Sequence, residues 1–530
     1  MLKANRYLKI ILLLALCAGA VFRLIYLIPP IAFQGDDAVS ALIAKHIFEL
    51  KEFPIYHWKA HYLGVLVSYI GALLYWMLGV SAVTFKIVGV LFSFIWIALT
   101  VFLINKVFDY HARIFSFLLV VLPPAEILRF SMYSSGIYAE TFAFGTLAFI
   151  MLIKLRRNDF SSSVSYLTLG LILGVGLWIS PFMLIVILSL IAVYVVEDKA
   201  FFRPKRLFLA LTGFFIGLLP AIIYNIQYPF ATLMRLGSRV LYSGREIFLE
   251  PNLASALWEK SLQRLAHMPI LAFRMWYWVS DVYGMFSMSI FIIAILWAFK
   301  KTEFFRAFRS KKLEFLHVCL IYAIIFVVLY TVSVDEEFKR HVVPLYLVFP
   351  FLVGRFLSAI DAKRKMISFV LISAMLTFNV VGNINAFLYE DNPPFKELVE
   401  WLKSKNFYYG YSGYEVAYRT VFESKESILI SPTLFHPTLA ERTPENTEKV
   451  NAAKNVVFIL RHDRHQIQIG EIKEGLLTRG VKYKAYSIGP FFILYDFSKR
   501  VYPEEFELRL PGVYIRHDSQ NRELPPADRK

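Results

Sequence analysis

Tyr62-Leu63-Gly64-Val65-Leu66-Val67-Ser68-Tyr69-Ile70-Gly71-Ala72-Leu73-Leu74-Tyr75-Trp76-Met77-Leu78-Gly79-Val80 is a run of 19 residues without a charge. A membrane span needs about 20 mostly apolar residues, so this run qualifies on composition. Whether it crosses decides the side of every loop that follows. Lys and Arg settle the matter, because they collect in cytoplasmic loops. Read as a helix lying at the outer surface, the run leaves Lys106 and Arg113 on the inner side. The same side then receives Lys154, Arg156 and Arg157, then Lys199, Arg203, Lys205 and Arg206, then Lys300 to Lys312, then Lys363, Arg364 and Lys365. Read as a span, it would move all of these outward. We therefore place it within an outer loop, 31–81.

Outward from that choice, the first span runs from about Ile10 to Ile28. Lys3, Arg6 and Lys9 before it, and Ala18-Gly19-Ala20 within it, resemble a signal peptide, but the apolar run goes on to Ile28. An uncleaved span with a cytoplasmic N-terminus is expected. Further spans are expected at about Val83–Ile104, Ile114–Phe130, Tyr138–Ile153, Tyr166–Trp178, Phe182–Val196, Leu207–Tyr224, Met285–Phe299, Leu313–Val332, Val342–Leu357 and Ile367–Leu388. That makes about 11 spans, with a second long outer segment at 225–284. The aromatic run Met275-Trp276-Tyr277-Trp278 in that segment reads as an interfacial belt.

Composition agrees. Of 530 residues 57% are hydrophobic, 17% aromatic and only 18% charged, against about a quarter charged in an average soluble domain. This excludes a disordered protein and a simple cytosolic enzyme. Cys17 and Cys319 both sit in apolar runs and build no disulfide framework. The net charge of +17 follows from the loop asymmetry and does not call for nucleic acid.

After about Tyr389 the chain turns polar, and by parity this part lies outside the cell. Phe395–Lys405 and Tyr414–Glu423 read as helices; Ile428–Ile430, Val456–Leu460 and Phe491–Tyr495 read as strands. The expected architecture is a multi-pass α-helical membrane domain, 1–388, followed by an extracytoplasmic α/β domain, 389–517. A charged tail, 518–530, is read as disordered. No nucleotide-binding pattern occurs.

The residues able to carry chemistry lie near the outer ends of the spans. In Phe33-Gln34-Gly35-Asp36-Asp37-Ala38-Val39 two acids follow the first span. One can cap the helix expected from Ala38 to Leu50, and the other can act as a general base. Glu140 opens the Tyr138 span, where an ionisable side chain needs a partner or a wet cavity. Glu126 and Arg129 read as an interfacial ion pair. His57-Trp58-Lys59-Ala60-His61 spaces two histidines as a helical zinc pair would, but no third ligand is evident. A lipid phosphate suits that basic cluster better, as it does Lys339-Arg340-His341. Arg461-His462-Asp463-Arg464-His465 resembles a metal cluster and is read as a solvated loop after a strand.

Taken in order, several short segments resemble the polytopic glycosyltransferases of the GT-C class, in particular bacterial family 39-like enzymes related to protein O-mannosyltransferases and aminoarabinose transferases. These segments are Gly35-Asp36-Asp37-Ala38, Met77-Leu78-Gly79-Val80-Ser81, Tyr138-Ala139-Glu140-Thr141, Trp178-Ile179-Ser180-Pro181, Leu219-Pro220-Ala221-Ile222-Ile223-Tyr224-Asn225, Arg340-His341-Val342-Val343-Pro344-Leu345-Tyr346 and Gly410-Tyr411-Ser412-Gly413-Tyr414-Glu415-Val416-Ala417-Tyr418. The resemblance covers essentially the whole chain. It implies a first-loop acid as catalytic base, at Asp36 or Asp37, with Glu140 as a second acid. Members usually read Asp-Glu, so Asp37 stands where Glu is common. It also implies that basic residues hold the donor phosphate, here Lys59 with His61 and Arg340 with His341. Many relatives carry Lys-Pro-Pro where this chain has Lys59-Ala60-His61.

The expected activity is transfer of a sugar from a polyprenyl-phosphate-linked donor to a lipid, glycan or protein acceptor on the outer face of the plasma membrane, with inversion. No cofactor or metal is indicated. The rival readings are a transporter or flippase of lipid-linked glycans and a non-catalytic assembly factor. A transporter would more often show related halves with a mid-membrane site, and no such halves are evident.

Overall fold

The computed structural model describes residues 2–28, 33–133, 137–157, 162–197, 204–234, 259, 262, 281–332, 339–362, 364–388, 393–435, 441–506 and 508. The expected tail 518–530, the aromatic run 275–278 and most of the segment 225–284 lie outside the described residues. By packing, the chain divides into two compact units: Met1–Phe33 with Ile43–Asp391, and Gln34–Leu42 with Asn392–Lys530.

The first unit is helical. In chain order it holds α1 (Leu2–Ile25), the later turns of α2 (Gly35–Phe48), α3 (Leu66–Leu78), α4 (Ala82–Val107), α5 (Tyr110–Val121), α6 (Ala125–Met132), α7 (Tyr138–Arg157), α8 (Ser163–Ile179), α9 (Met183–Glu197), α10 (Pro204–Gly217) and α11 (Leu219–Gln227). After these come α12 (Asp281–Lys301), α13 (Phe304–Ser310), α14 (Phe315–Val332), a 3-10 helix (Lys339–Leu347), α15 (Phe349–Asp361) and α16 (Lys365–Leu388). The stretch that decided the layout forms α3, a helix of 13 residues. At 1.5 Å per residue it is about 20 Å long, short of a hydrocarbon core of about 30 Å.

By length and composition, 4 of the described helices can cross a membrane, or up to 8 if each bent pair is one span. The count of about 11 read from the sequence further includes α1 and the short apolar helices α8 and α9, of 17 and 15 residues. Several expected single spans are broken. The run Ile114–Phe130 is α5 and α6, bent by 67°. The run Leu207–Tyr224 is α10 and α11, bent by 61° with Pro220 in the first turn after the break. Proline has no amide to donate and crowds the preceding turn, so a helix ends or kinks there.

The α5/α6 break shows how such a bend is tolerated. Pro123 and Pro124 interrupt the amide ladder, and the carbonyls before them lose their helical donors. Arg23, fully buried on α1, donates Nη1 to Val121 O at 2.9 Å and Nη2 to Val120 O at 3.3 Å. Asn379 Nδ2 reaches Leu122 O at 2.7 Å, and Asn383 Nδ2 reaches Pro123 O at 2.9 Å. In an apolar surrounding each unsatisfied carbonyl would cost several kcal/mol. Both asparagines lie on α16, four residues apart, so one face of that helix serves Leu122 O and Pro123 O, while Arg23 on α1 serves Val120 O and Val121 O.

Helices α8 and α10 pack backbone to backbone. Gly170 and Gly174 on α8 face Gly213 and Gly217 on α10. A Cβ on any of the four would overlap main-chain atoms of the opposing helix, such as Ala210 O, Phe214 O, Leu167 O and Leu171 O. Spacing small residues four apart on both helices lets two axes approach this closely.

The second unit carries a five-stranded sheet in the order β2-β1-β3-β5-β4. The strands are β1 (Tyr409–Ser412), β2 (Leu429–Ser431), β3 (Val457–Arg461), β4 (Lys484–Ile488) and β5 (Phe491–Tyr495). β1 pairs parallel with β2 and β3, while β5 pairs antiparallel with β3 and β4. Helices α17 (Phe395–Ser404), α18 (Tyr414–Glu423), α19 (Pro444–Ala452) and α20 (Gln466–Thr478) accompany it. Every residue of β3 is buried, as a central strand covered on both faces requires. One core cluster joins Tyr411, Phe458, Leu460, Ile472, Leu476 and Leu494. The expected α/β architecture is present, with two strands more than the sequence reading contained.

Candidate active site

Helix α2 starts at Gly35, three residues before the expected Ala38, so both acids lie in its first turn. Gln34 is the residue before the helix, and its carbonyl accepts from Ala38 N at 2.9 Å. Asp37 stands at the third helical position, and its Oδ2 accepts the Gln34 amide at 3.2 Å. This is the reach-back half of a capping box, which satisfies a donor at the helix start. Asp37 is only 3% exposed. The expected cap is an acid ahead of the helix that accepts its free amides; Asp37 instead serves the helix start from within the first turn.

Asp36 takes another partner. Its Oδ1 accepts the Tyr414 hydroxyl at 2.7 Å, between residues 378 positions apart in sequence. Gly35 makes this approach feasible: a Cβ there would lie 2.8 Å from the Tyr414 ring and 3.1 Å from Glu415 Cα. Tyr414 begins α18, and Tyr418, one turn on, packs edge to face with it at 5.0 Å. Arg442 closes the group. Its guanidinium sits 5.7 Å from the Tyr414 ring centre, its Nε lies 3.5 Å from the Tyr414 hydroxyl, and its amide donates to the Tyr418 hydroxyl.

Burial first, and then the charge of Asp36, push the Tyr414 hydroxyl well above the ordinary phenol range, so it remains a donor. Burial works against the charge of Arg442, but Tyr414 and Asp36 outweigh it and hold the guanidinium above its ordinary value. The arrangement is a carboxylate, a phenol and a guanidinium grouped around the Tyr414 hydroxyl, all within the sheet-bearing unit.

The segment read as a solvated loop begins with a buried strand residue, Arg461, the last of β3, and it and the turn after it hold ion pairs. Arg461 makes two bonds to Asp463, at 2.9 and 2.5 Å, and Arg464 Nη1 meets Glu415 at 2.7 Å. His465 Nδ1 accepts the Arg461 amide at 3.1 Å. Burial, with Arg461 and Arg464 beside it, brings the His465 value down to about 4 from an ordinary 6.5. A depressed folded-state value means stability is fully present above pH 6.5 and is lost as pH falls through about 4. After allowance for partial exposure the loss is about 1–2 kcal/mol. We expect hydrogen exchange of the β3 and α20 amides to accelerate over this pH window in the intact protein, and His465→Gln to flatten that dependence.

In the helical unit, Lys59 and His61 occupy a turn rather than a helix, with φ of 53° and 61°. The i, i+4 histidine face considered for zinc is therefore absent. Lys59 is exposed. His61 Nδ1 is bonded to the Tyr224 hydroxyl, and its carbonyl accepts Thr232 Oγ1 at 2.8 Å. The Tyr224 ring meets Tyr56 edge to face at 4.9 Å, so α11 is tied to this turn. Glu126 and Arg129 form the expected pair at 3.6 Å.

Glu140 lies in the first turn of α7 and is fully buried. Neither carboxylate oxygen has a hydrogen-bond partner among the described residues. A buried polar group left so is costly, and native folds keep few of them. We expect Glu140→Met to raise the melting temperature, by the equivalent of about 1–3 kcal/mol. Thermal unfolding of wild type and variant checks this.

Arg340 is the second residue of the 3-10 helix that packs on α7, where Leu347 meets Gly145. His341 follows it, and its ring lies 6.0 Å from Phe182, which stacks on Tyr138 at 5.8 Å. The structure thus groups Lys59 with His61, and joins His341 through Phe182 to the helix that carries Glu140. Asp36 and Asp37 belong to the unit with the sheet. Tyr414 and Arg442 are the residues that sequence reading missed. Tyr414 lay in the quoted segment Gly410–Tyr418; Arg442 gave no signal.

No family model matches the chain, and no curated protein matches it by sequence. Its fold is similar to that of ArnT from Cupriavidus metallidurans bound to undecaprenyl phosphate. The TM-score is 0.61 at 10% identity, over 93% of this chain and 98% of that one. It is also similar to the archaeal oligosaccharyltransferase AglB from Archaeoglobus fulgidus in complex with an inhibitory peptide and a dolichol-phosphate. There the TM-score is 0.53 at 12% identity, over 94% of this chain and 74% of that one. The apo form of the Archaeoglobus fulgidus oligosaccharyltransferase gives a TM-score of 0.55 over 96% of this chain. The fold is therefore the one seen in these neighbours, mostly helical, with helices long and apolar enough to cross a membrane and a small sheet-bearing unit, which is the fold the sequence resemblance implied.

Proposed function

We propose that this chain is a membrane glycosyltransferase that moves a sugar from a polyprenyl-phosphate-linked donor to an acceptor at the extracytoplasmic face of the plasma membrane. The observation that carries this reading is a fold shared over more than nine-tenths of the chain with ArnT, itself bound to undecaprenyl phosphate. The second neighbour holds a dolichol-phosphate, so two proteins of this fold bind an isoprenoid phosphate.

Among the candidate residues we assign the base to Asp36. Asp37 is committed to its own helix start, whereas Asp36 is the less buried of the two. Asp36 takes the proton of an acceptor hydroxyl. The acceptor oxygen attacks the anomeric carbon from the face opposite the phosphate. The bond from that carbon to the phosphate oxygen breaks, and the electron pair leaves with the polyprenyl phosphate. One displacement inverts the anomeric centre. A positioned base contributes about 10²–10⁴-fold. Cations on the departing phosphate supply the electrostatic share, a role we give to Lys59 and Arg340 with His61 and His341. Glu140 is the second acid. The N-terminus lies in the cytoplasm and the sheet-bearing unit outside.

The test is direct. The protein in lipid nanodiscs is given polyprenyl-phosphate sugars, and the release of free polyprenyl phosphate is measured with and without candidate acceptors. Acceptor-dependent release supports the reading; a donor that stays intact with every sugar and acceptor tried speaks against it.

A further inference from the structure

The sheet-bearing unit invites a role of its own, because it contains the segment that carries the proposed base. Gln34–Leu42 groups by packing with the sheet-bearing unit. We propose that Tyr414, backed by Arg442, is a positioning residue for Asp36, so that the C-terminal unit sets the geometry of the reacting carboxylate. The inference rests on the transferase reading given above.

Three observations carry it. The Tyr414 hydroxyl donates to Asp36 Oδ1 at 2.7 Å, the length of a strong bond to a carboxylate. Gly35 removes the side chain that would hold α2 away from α18. Arg442 also holds the phenol, with Nε 3.5 Å from the hydroxyl and the guanidinium over the ring. A carboxylate at the second position of a helix retains χ1 and χ2 freedom. Fixing one oxygen orients the other, and a misplacement of about 1 Å in a reacting group can lower a rate about 100-fold. Tyr414 does not itself exchange a proton with substrate in this scheme. Its high-lying hydroxyl keeps the donor role constant across the working pH range.

The test compares wild type, Tyr414→Phe, Asp36→Asn and the double variant, each as the full chain in nanodiscs, by two readouts. The first is turnover. Tyr414→Phe is expected to lower kcat 10- to 100-fold with the donor KM within about twofold, and to have no further effect in the Asp36→Asn background. Wild-type kcat in Tyr414→Phe, or an equal loss on both backgrounds, overturns the proposal. The second readout needs no activity: hydrogen exchange of the amides in Gln34–Leu42 should accelerate in Tyr414→Phe while β3 stays protected. If exchange in that segment is unchanged, Tyr414 does not position it and the proposal falls. If the wild type transfers no sugar at all, the transferase reading fails, and positioning of a catalytic base fails with it. The exchange readout then separates a purely structural contact from none.

Discussion

Asp36→Asn is expected to lower turnover about a thousandfold or more, with the donor KM changed only a few-fold. Asn keeps the size of the side chain and can still accept the Tyr414 hydroxyl, so the first turn of α2 retains its contact with α18. What it loses is the capacity to take a proton, which a positioned carboxylate supplies at about 10²–10⁴-fold. Asp37→Asn is expected to cost far less, because an amide oxygen can replace the Oδ2 that accepts the Gln34 amide. The comparison of the two variants at matched membrane levels therefore identifies the base. A reversed order, with Asp37→Asn the inactive one, would transfer the role to Asp37 and leave Asp36 as a seat for the C-terminal unit.

The second large effect concerns assembly. Gly170→Val or Gly213→Val is expected to leave little folded protein, through a loss well above about 3 kcal/mol. At both positions a single added carbon meets opposing main chain, which cannot rotate away as a side chain could. Gly470 on α20 provides the contrast, because a Cβ there meets nothing within 4 Å. Gly470→Ala should be neutral or stabilising by about 0.5–1 kcal/mol, through helix propensity alone. Yield of monodisperse protein and its melting temperature separate the cases. Normal yield of Gly213→Val would mean that α8 and α10 do not pack through their glycines.

Much of this architecture was legible in the sequence, for physical reasons that can be named. The alternation of apolar runs and basic clusters located α4, α7, α12 and α16, since hydropathy and loop charge are properties of composition. The short length of α3 agrees with the charge argument that kept it out of the count of spans. The strands β2, β3 and β5 were read from apolar runs bounded by turns. β1 was missed because Tyr409-Gly410-Tyr411-Ser412 is short and holds a glycine. β4 was missed because its side chains are largely exposed and polar, as an edge strand allows. The helix breaks were harder. Pro123-Pro124 and Pro220 are visible in sequence, but the Arg23, Asn379 and Asn383 donors that make a break tolerable come from distant helices. The glycine pairs Gly170/Gly174 and Gly213/Gly217 carried a readable spacing that the span count passed over.

At the site, local chemistry was legible and long-range pairing was not. That an acid would serve the start of α2 was legible from the nearness of the two acids to a helix, although α2 begins at Gly35 and Asp37 acts from within its first turn. That Asp36 would meet Tyr414 was not, because nothing in either neighbourhood points across 378 positions. Pairing the two histidines of 57–61 as a zinc face failed for a local reason. Both Lys59 and His61 adopt positive φ, which no helix accommodates.

The central claim, that the chain consumes a polyprenyl-phosphate-linked sugar, is tested most directly by mass spectrometry of membrane lipids. Extracts would be compared from cells lacking the protein and from the same cells supplied with wild type or Asp36→Asn at matched levels. The account predicts that a polyprenyl-phosphate sugar accumulates without the protein, disappears with wild type and persists with Asp36→Asn. Its mass then names the sugar. An unchanged lipid profile in all three would contradict the account and favour a transport or assembly role for the same fold.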